Sequence, residues 1–188
     1  DRILMELARK SLADMRWEEM WDAALRIRNM FLRSELPPSL EQTLGAELDR
    51  AFGLGKTAVR SSAPGEDGGQ TSFAGLHESL VNVSGREELL SSIRKVWASL
   101  FSDAALLYRQ ELGLEVEKSS MAVLIQEIVP GQSSGVVFTR SPEDESALAV
   151  EAVHGLNKGL VDGVVEPDRW TLDRETGEVR TSRVPERT

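Results

Sequence analysis

The stretch Thr57-Ala58-Val59-Arg60-Ser61, running through SAPGEDGGQTSFAG at residues 62–75 to Ser79-Leu80-Val81-Asn82-Val83, decides how the chain is read. Its first five residues are β-prone, and Ser79 to Val83 returns to strand. Four of the fourteen residues from Ser62 to Gly75 are glycine and several carry hydroxyls, so a long loop is predicted between the two strands. Glycines let a backbone approach a ligand closely and turn its N–H groups toward it. A guanidinium beside such a loop can hold a phosphate by two parallel hydrogen bonds. Arg60 and its loop are therefore a candidate phosphate site. The plainer reading is a surface loop beside an Arg in a surface ion pair. The loop is not a Walker A sequence and contains no GxGxxG.

Upstream the texture is helical. Trp17, Met20, Trp21, Ala24, Ile27 and Phe31 recur at helical spacing, with Asp14 as N-cap. Pro37-Pro38 ends that segment, and a second helix places Leu40, Leu44, Leu48 and Ala51 on one face. The tryptophans and methionines of these helices read as core. Downstream, Ser84-Gly85-Arg86-Glu87 has the form of a capping box. The helix behind it carries Leu89, Ile93, Val96, Trp97 and Leu100, and Ser102 caps another through Ala105, Leu106 and Arg109. Met121 to Val129, Gly135 to Thr139 and Ala147 to Val153 read as strands. A hairpin turns at Arg174-Glu175-Thr176-Gly177, and a solvated tail begins at Arg180. The pattern predicts an α+β protein. Its expected divisions are a helical segment over 1–55, a mixed α+β region over 56–175 and a hairpin and tail over 176–188.

Composition narrows the function. The chain has 188 residues with 22 bases and 31 acids, a net charge of −9, and no cysteine. Disulfide frameworks, thiolate metal sites and cysteine nucleophiles are excluded. Residues 1–60 hold ten acids and ten bases, so the whole acidic excess lies beyond Arg60. That excess argues against binding a nucleic-acid backbone. No apolar run approaches the roughly 20 residues that span a bilayer. A cytoplasmic protein without membrane or nucleic-acid partners is expected.

Several motifs occur in order along the chain. They are Ala58-Val59-Arg60-Ser61-Ser62-Ala63, Glu66-Asp67, Ser72-Phe73-Ala74-Gly75 and Val81-Asn82-Val83. Trp97-Ala98-Ser99-Leu100-Phe101-Ser102-Asp103, Tyr108-Arg109 and Gln126-Glu127-Ile128-Val129 follow. Ser134-Gly135-Val136-Val137-Phe138-Thr139, Glu151-Ala152, Gly155-Leu156, Val161-Asp162-Gly163 and Pro167-Asp168 complete the series. Over about residues 57–172 the chain resembles the ATP-binding domain of the phosphoenolpyruvate synthase and pyruvate phosphate dikinase family. Rifampin phosphotransferase and the glucan dikinases use a similar domain.

The resemblance implies an ATP-grasp-like fold, here partial, in which nucleotide lies between two α+β lobes. It implies ATP and Mg²⁺ as cofactors. In the family the β-phosphoryl group passes to a histidine on a separate swivelling domain, and a further domain delivers it to pyruvate or another acceptor. Arg60 matches the phosphate-binding Arg, and Thr71, Ser72 and Gly75 match a mobile loop whose N–H groups cover the phosphates. Glu66 and Asp67 are then loop-fixing acids, because two carboxylates aimed at a triphosphate would repel it. Gln126 to Val129 matches the segment along the adenine. Gln126 is expected to act through its side chain, Glu127 and Val129 through the main chain, and two-residue alternation puts Gln126 and Glu127 on opposite faces. Glu151, ending an apolar strand, is the expected Mg²⁺ ligand, with a plain sheet-edge acid as the alternative.

The chain departs from the family at Gly155-Leu156-Asn157-Lys158, where relatives commonly read Gly-Leu-Gly-Glu. Lys158 reverses the sign of a phosphate-site acid. Lys158 can contact a phosphate directly; otherwise Asp162 has taken over the role, or turnover is lost. That last option keeps a second reading open: a non-catalytic nucleotide-binding or regulatory module. His77 and His154 fall outside the family's phosphohistidine motif and read as structural. A phosphohistidine domain and an acceptor-binding domain are expected elsewhere in a larger protein.

Overall fold

The computed structural model describes residues 15–64, 75–113 and 119–185. Its elements are helices and antiparallel sheets, as an α+β chain requires. The residues fall into two compact units, one ending at Ile128 and one beginning at Val129.

In the first unit, α1 spans Trp17–Arg33 and α2 spans Pro38–Ala51. Arg16, not Asp14, stands at the N-cap of α1, and its N–H donates to Glu19 Oε2 at 3.0 Å. Asp14 lies outside the described residues. Glu18 and Glu19 place negative charge in the first turn, where unpaired N–H groups favour it. The core stripe runs through Met20, Ala23, Ala24 and Ile27. Trp17 and Trp21, expected in the core, stand beside that stripe and are 67% and 52% exposed. Met20 and Ala24 meet Leu106, and the Phe31 ring stacks on Phe101 with centroids 5.5 Å apart. Pro38 opens α2, where its missing N–H costs nothing. Leu48 is buried, Leu44 partly so, and Leu40 faces solvent despite its helical spacing.

The core of this unit is a sheet covered by a helix. Strands β1 (Thr57–Ser62), β2 (Ser79–Val83) and β3 (Ala122–Glu127) pair antiparallel in the order β2-β1-β3. Helix α3 (Arg86–Ser99) presents Leu89, Leu90, Ile93 and Val96 to Val59 and Val83. Leu80, Val123 and Ile125 pack against the same cluster. Thr57 is fully buried, and its hydroxyl donates to the Val83 carbonyl at 2.9 Å. The β1–β2 ladder slips between Thr57 and Val59, and Asn82 adopts φ +62° beside that bulge. Asparagine tolerates this left-handed conformation better than most residues.

Helix α3 begins one residue later than the predicted capping box. Gly85 is its N-cap, and Glu88, rather than Glu87, reaches back to the Ser84 N–H at 3.0 Å. Ser102 caps α4 (Asp103–Glu111) as expected, accepting from Ala105 N–H at 3.2 Å. Arg109 is buried, and its Nη1 donates to the carbonyls of Leu100 at 2.8 Å and Ala105 at 3.3 Å. This guanidinium ties the end of α3 to α4. Burial pushes its pKa down from the ordinary arginine value.

The second unit is a four-stranded antiparallel sheet in the order β4-β5-β6-β7. Its strands are β4 (Ser133–Phe138), β5 (Ala147–His154), β6 (Asp168–Asp173) and β7 (Val179–Arg183), and one short helix, α5 (Lys158–Val161), follows β5. Ala147, Val153 and Pro167 are the buried apolar residues among those described here, and Leu148, Val150, Trp170 and Leu172 are half-buried. The unit is held by its ladders and these half-buried side chains, and a charge hub at Arg180 links its hairpin to the loop before β5. Expected in a solvated tail, Arg180 instead bonds Asp144 Oδ2 at 2.8 Å, Asp173 Oδ2 at 2.5 Å and Ser146 Oγ at 2.9 Å. The Asp173 carboxyl is held well below its usual range by the Thr176 N–H, the Arg180 guanidinium and the Glu175 N–H. Asp144 is lowered by the Ser146 hydroxyl and N–H, with Arg180 adding to it.

Two outcomes follow from this packing. Leu89→Ala empties a fully buried position and should destabilise the first unit by about 2–5 kcal/mol in urea denaturation. Depressed aspartate pKa values give stability that is present above the unfolded value, about 3.9, and lost as pH falls through the folded values. Thermal unfolding of the second unit should therefore move to lower temperature as pH drops below about 4, and Arg180→Ala should flatten that dependence.

Candidate functional site

Residues opposite one another in an antiparallel ladder share a face, and faces alternate along a strand. Thr57 and Val59 of β1 point to the α3 side. Arg60 therefore stands on the other face, in the middle strand of its sheet. It lies across from Leu124 on β3 and Ser79 on β2. All three are exposed, Leu124 to 54%. Arg60 forms no ion pair or side-chain hydrogen bond with any described residue. The surface ion pair that was its plainer reading is thus absent among the described residues.

Gln126 lies across from Ala58, so it shares the face of Arg60, one diagonal step away. Glu127 lies across from Thr57 and falls on the opposite face, as alternation requires. Ile128 N–H donates to the Lys56 carbonyl at 2.9 Å, which sets the phase of this ladder. Residues 124, 126 and 128 turn their main-chain groups toward β1, and Glu127 turns its own to the free edge of β3. Val129 opens the second unit and is 80% exposed.

Gly75 holds φ +78° with open space where a Cβ would stand. Its backbone conformation, not crowding, requires glycine. Just beyond it, Glu78 N–H donates to Ser99 Oγ at 3.1 Å, and Ser99 donates onward to the Val96 carbonyl at 2.7 Å. Ser99 thereby pins the chain entering β2 to the end of α3. Thr71, Ser72, Glu66 and Asp67 lie outside the described residues. His77 is half-buried, and His154 is exposed at the end of β5.

In the second unit Glu151 lies mid-strand on β5, across from Val136 and Arg169. Arg169 Nε donates to Glu151 Oε1 at 2.8 Å. Both line a cleft of about 320 Å³ whose other wall is the segment from Leu160 to Pro167, including Glu166. Glu166 is itself paired with Arg183 at 2.8 Å. One carboxylate oxygen of Glu151 is thus engaged by Arg169. Among the described residues no three metal-binding side chains converge. The second Glu151 oxygen is the group this carboxylate could offer a Mg²⁺, which is commonly held by one or two carboxylates with phosphates and water, and Arg169 competes for it. Gly135 explains how β5 is held. A Cβ there would collide with the Glu151 carbonyl oxygen, so only glycine lets β4 come this close.

Lys158 bonds Asp162 at 2.7 Å, one turn along α5. Both side chains are about half exposed, so the pair is of the kind worth at most about 1 kcal/mol. The two residues offered as alternative replacements for the family acid therefore neutralise each other. Sequence reasoning did not single out Ser79, Leu124 or Arg169. They become neighbours of Arg60 and Glu151 only through strand register.

With this geometry in hand, the comparisons with known proteins decide the family. The sequence profile described as pyruvate phosphate dikinase, AMP/ATP-binding domain, matches residues 2–188. The chain belongs to this family. It is 37% identical to a phosphoenolpyruvate synthase of Aeropyrum pernix over 96% of its own length and 23% of that protein's. It is 34% identical to a probable phosphoenolpyruvate synthase of Staphylothermus marinus, over 89% of this chain and 21% of the relative. A rifampicin phosphotransferase of Bacillus cereus is 34% identical over 84% of this chain and 18% of the relative. The chain thus spans about a fifth of the length of these curated relatives. Among the described residues no helix is long and apolar enough to cross a membrane.

Gly135→Ala tests the tight strand contact at this family domain's Glu151. It should destabilise the second unit by about 1–3 kcal/mol in chemical denaturation, since β4 must move away from β5.

Proposed function

We propose that this chain is the ATP-binding part of a phosphoenolpyruvate synthase-like dikinase with an ATP-grasp-like fold. The observation that carries the reading is Arg60, an exposed guanidinium on the middle strand that pairs with no described residue. A buried core on one side of the sheet makes its position rigid, and rigidity is what a phosphate clamp requires. Arg60 grips the phosphates bidentately. Gln126, on the same face, reaches the base with its side chain, and Glu127 and Val129 offer main-chain groups. Gly75, with Thr71 and Ser72, supplies backbone N–H donors over the phosphates.

In the second unit Glu151 would hold Mg²⁺, oriented by its bond to Arg169. The ion would supply neutralisation of phosphate charge. Lys158 can add a direct phosphate contact by giving up a weak surface pair. Phosphoryl transfer asks the protein for positioning and charge neutralisation rather than covalent chemistry. In the full-length protein the phosphoryl group passes to a histidine on a separate domain and then to pyruvate or another acceptor. The AMP/ATP-binding description of the family supports the nucleotide, and the length of the relatives supports the further domains.

The Lys158–Asp162 pair favours one other reading. Where relatives carry an acid, this position is a neutral ion pair, so the domain binds nucleotide without turnover. Transfer of label from ATP to a histidine of the full-length protein separates the two. The primary test is binding. Arg60→Ala should weaken ATP by about 1.5–3 kcal/mol, the range for a charged hydrogen bond, in calorimetry on the full-length protein. Unchanged affinity would refute the assignment.

A further inference from the structure

Arg60 is left unpaired by both of its ladder neighbours, in a chain where acids are abundant. There are 31 acids among 188 residues, yet the positions across from Arg60 are Ser79 and Leu124. The next residues of β3 on the same face, Ala122 and Gln126, are uncharged too. Opposite charges directly across a ladder attract, so a carboxylate at either of these positions would stabilise the sheet by pairing with Arg60. Neither neighbour is there to fill the core. Ser79 is exposed, and Leu124 turns more than half its surface to solvent from a strand whose alternate residues, Val123 and Ile125, already pack inward.

The ladder's phase sharpens the point. Arg60 and Leu124 form a hydrogen-bonded pair with Cα atoms about 5.5 Å apart, and Arg60 and Ser79 a non-bonded pair at about 4.5 Å. A carboxylate at either position would reach the guanidinium. It would occupy the donors that a phosphate needs, and an incoming polyanion would have to displace it.

We propose that Ser79 and Leu124 are positioning residues whose neutrality keeps the Arg60 guanidinium available to a phosphate. This rests on the phosphate reading of Arg60 given above. It adds two residues to that site and a reason for their chemistry, which is to withhold a competing anion.

The test uses calorimetry on the full chain with two probes, ATP and inorganic tripolyphosphate. Leu124→Glu should weaken both by about tenfold or more, because the new carboxylate ties up a charged donor. Leu124→Gln, of the same length without the charge, should stay within about threefold of the parent protein. The double variant Arg60→Ala/Leu124→Glu should bind no more weakly than Arg60→Ala, since the two changes act through one group. If Leu124→Glu does not fold, Ser79→Asp carries the same comparison, with Ser79→Asn as its neutral control. Wild-type binding by the acidic variants overturns the proposal. So does a neutral variant that loses as much as the acidic one, which would mean packing, or losses that add in the double variant. Arg60→Ala without effect on either probe overturns the phosphate reading itself. A loss with Arg60→Ala, but none with the acidic variants, overturns only the role of the neighbours.

Discussion

Alternation along β1 sends Thr57 and Val59 into the core of the first unit and turns Arg60 the other way. Val59 is wholly buried against Leu89, Ile93 and Val96, and β1 is held by a strand on each side. A side chain on such a strand has little freedom at its root. The guanidinium is thus presented from a fixed base even though its head is in water. Other motif residues hold this unit together. Ser99 anchors the chain entering β2, and Arg109 fastens the end of α3 to α4.

The second unit reaches rigidity by other means. Its buried apolar residues are few, so geometry is set by close strand approach and by charge. Gly135 brings β4 against the Glu151 carbonyl, and Arg169 fixes one oxygen of the Glu151 side chain. Arg180 draws Asp144 and Asp173 together and closes the hairpin against the rest of the sheet. Such charge hubs answer to pH and salt in a way that the apolar core of the first unit does not.

Much of this architecture was legible in the residues. The hydrophobic spacing of α3, the cap at Ser102 and the hairpin at residues 174–177 are local signals, and the structure carries each of them. The α1 stripe was only partly legible. Trp17 and Trp21 match helical spacing, but periodicity does not say which of two adjoining apolar stripes a neighbour will cover, and Leu106 meets Met20 and Ala24. The capping box misled by one residue because Glu87 and Glu88 both suit its form, and the position of Gly85 decides between them. At the candidate site, Arg60 and the alternation of Gln126 and Glu127 could be read along the chain. The neighbours Ser79, Leu124 and Arg169 could not, because cross-strand register is a property of pairing between distant segments.

The irregular registers have a consequence of their own. In each sheet one outer strand joins its neighbour through a bulge, β2 beside Thr57 and Val59, and β7 beside Thr171 and Leu172. A bulge twists an edge and spoils its regular row of donors and acceptors. Strand β7 adds the ion-paired Arg180 and Arg183 to that edge. A second chain seeking to extend either sheet from these sides would meet a warped template, and on β7 one whose arginines are already held by Asp144, Asp173 and Glu166, which disfavours edge-to-edge aggregation.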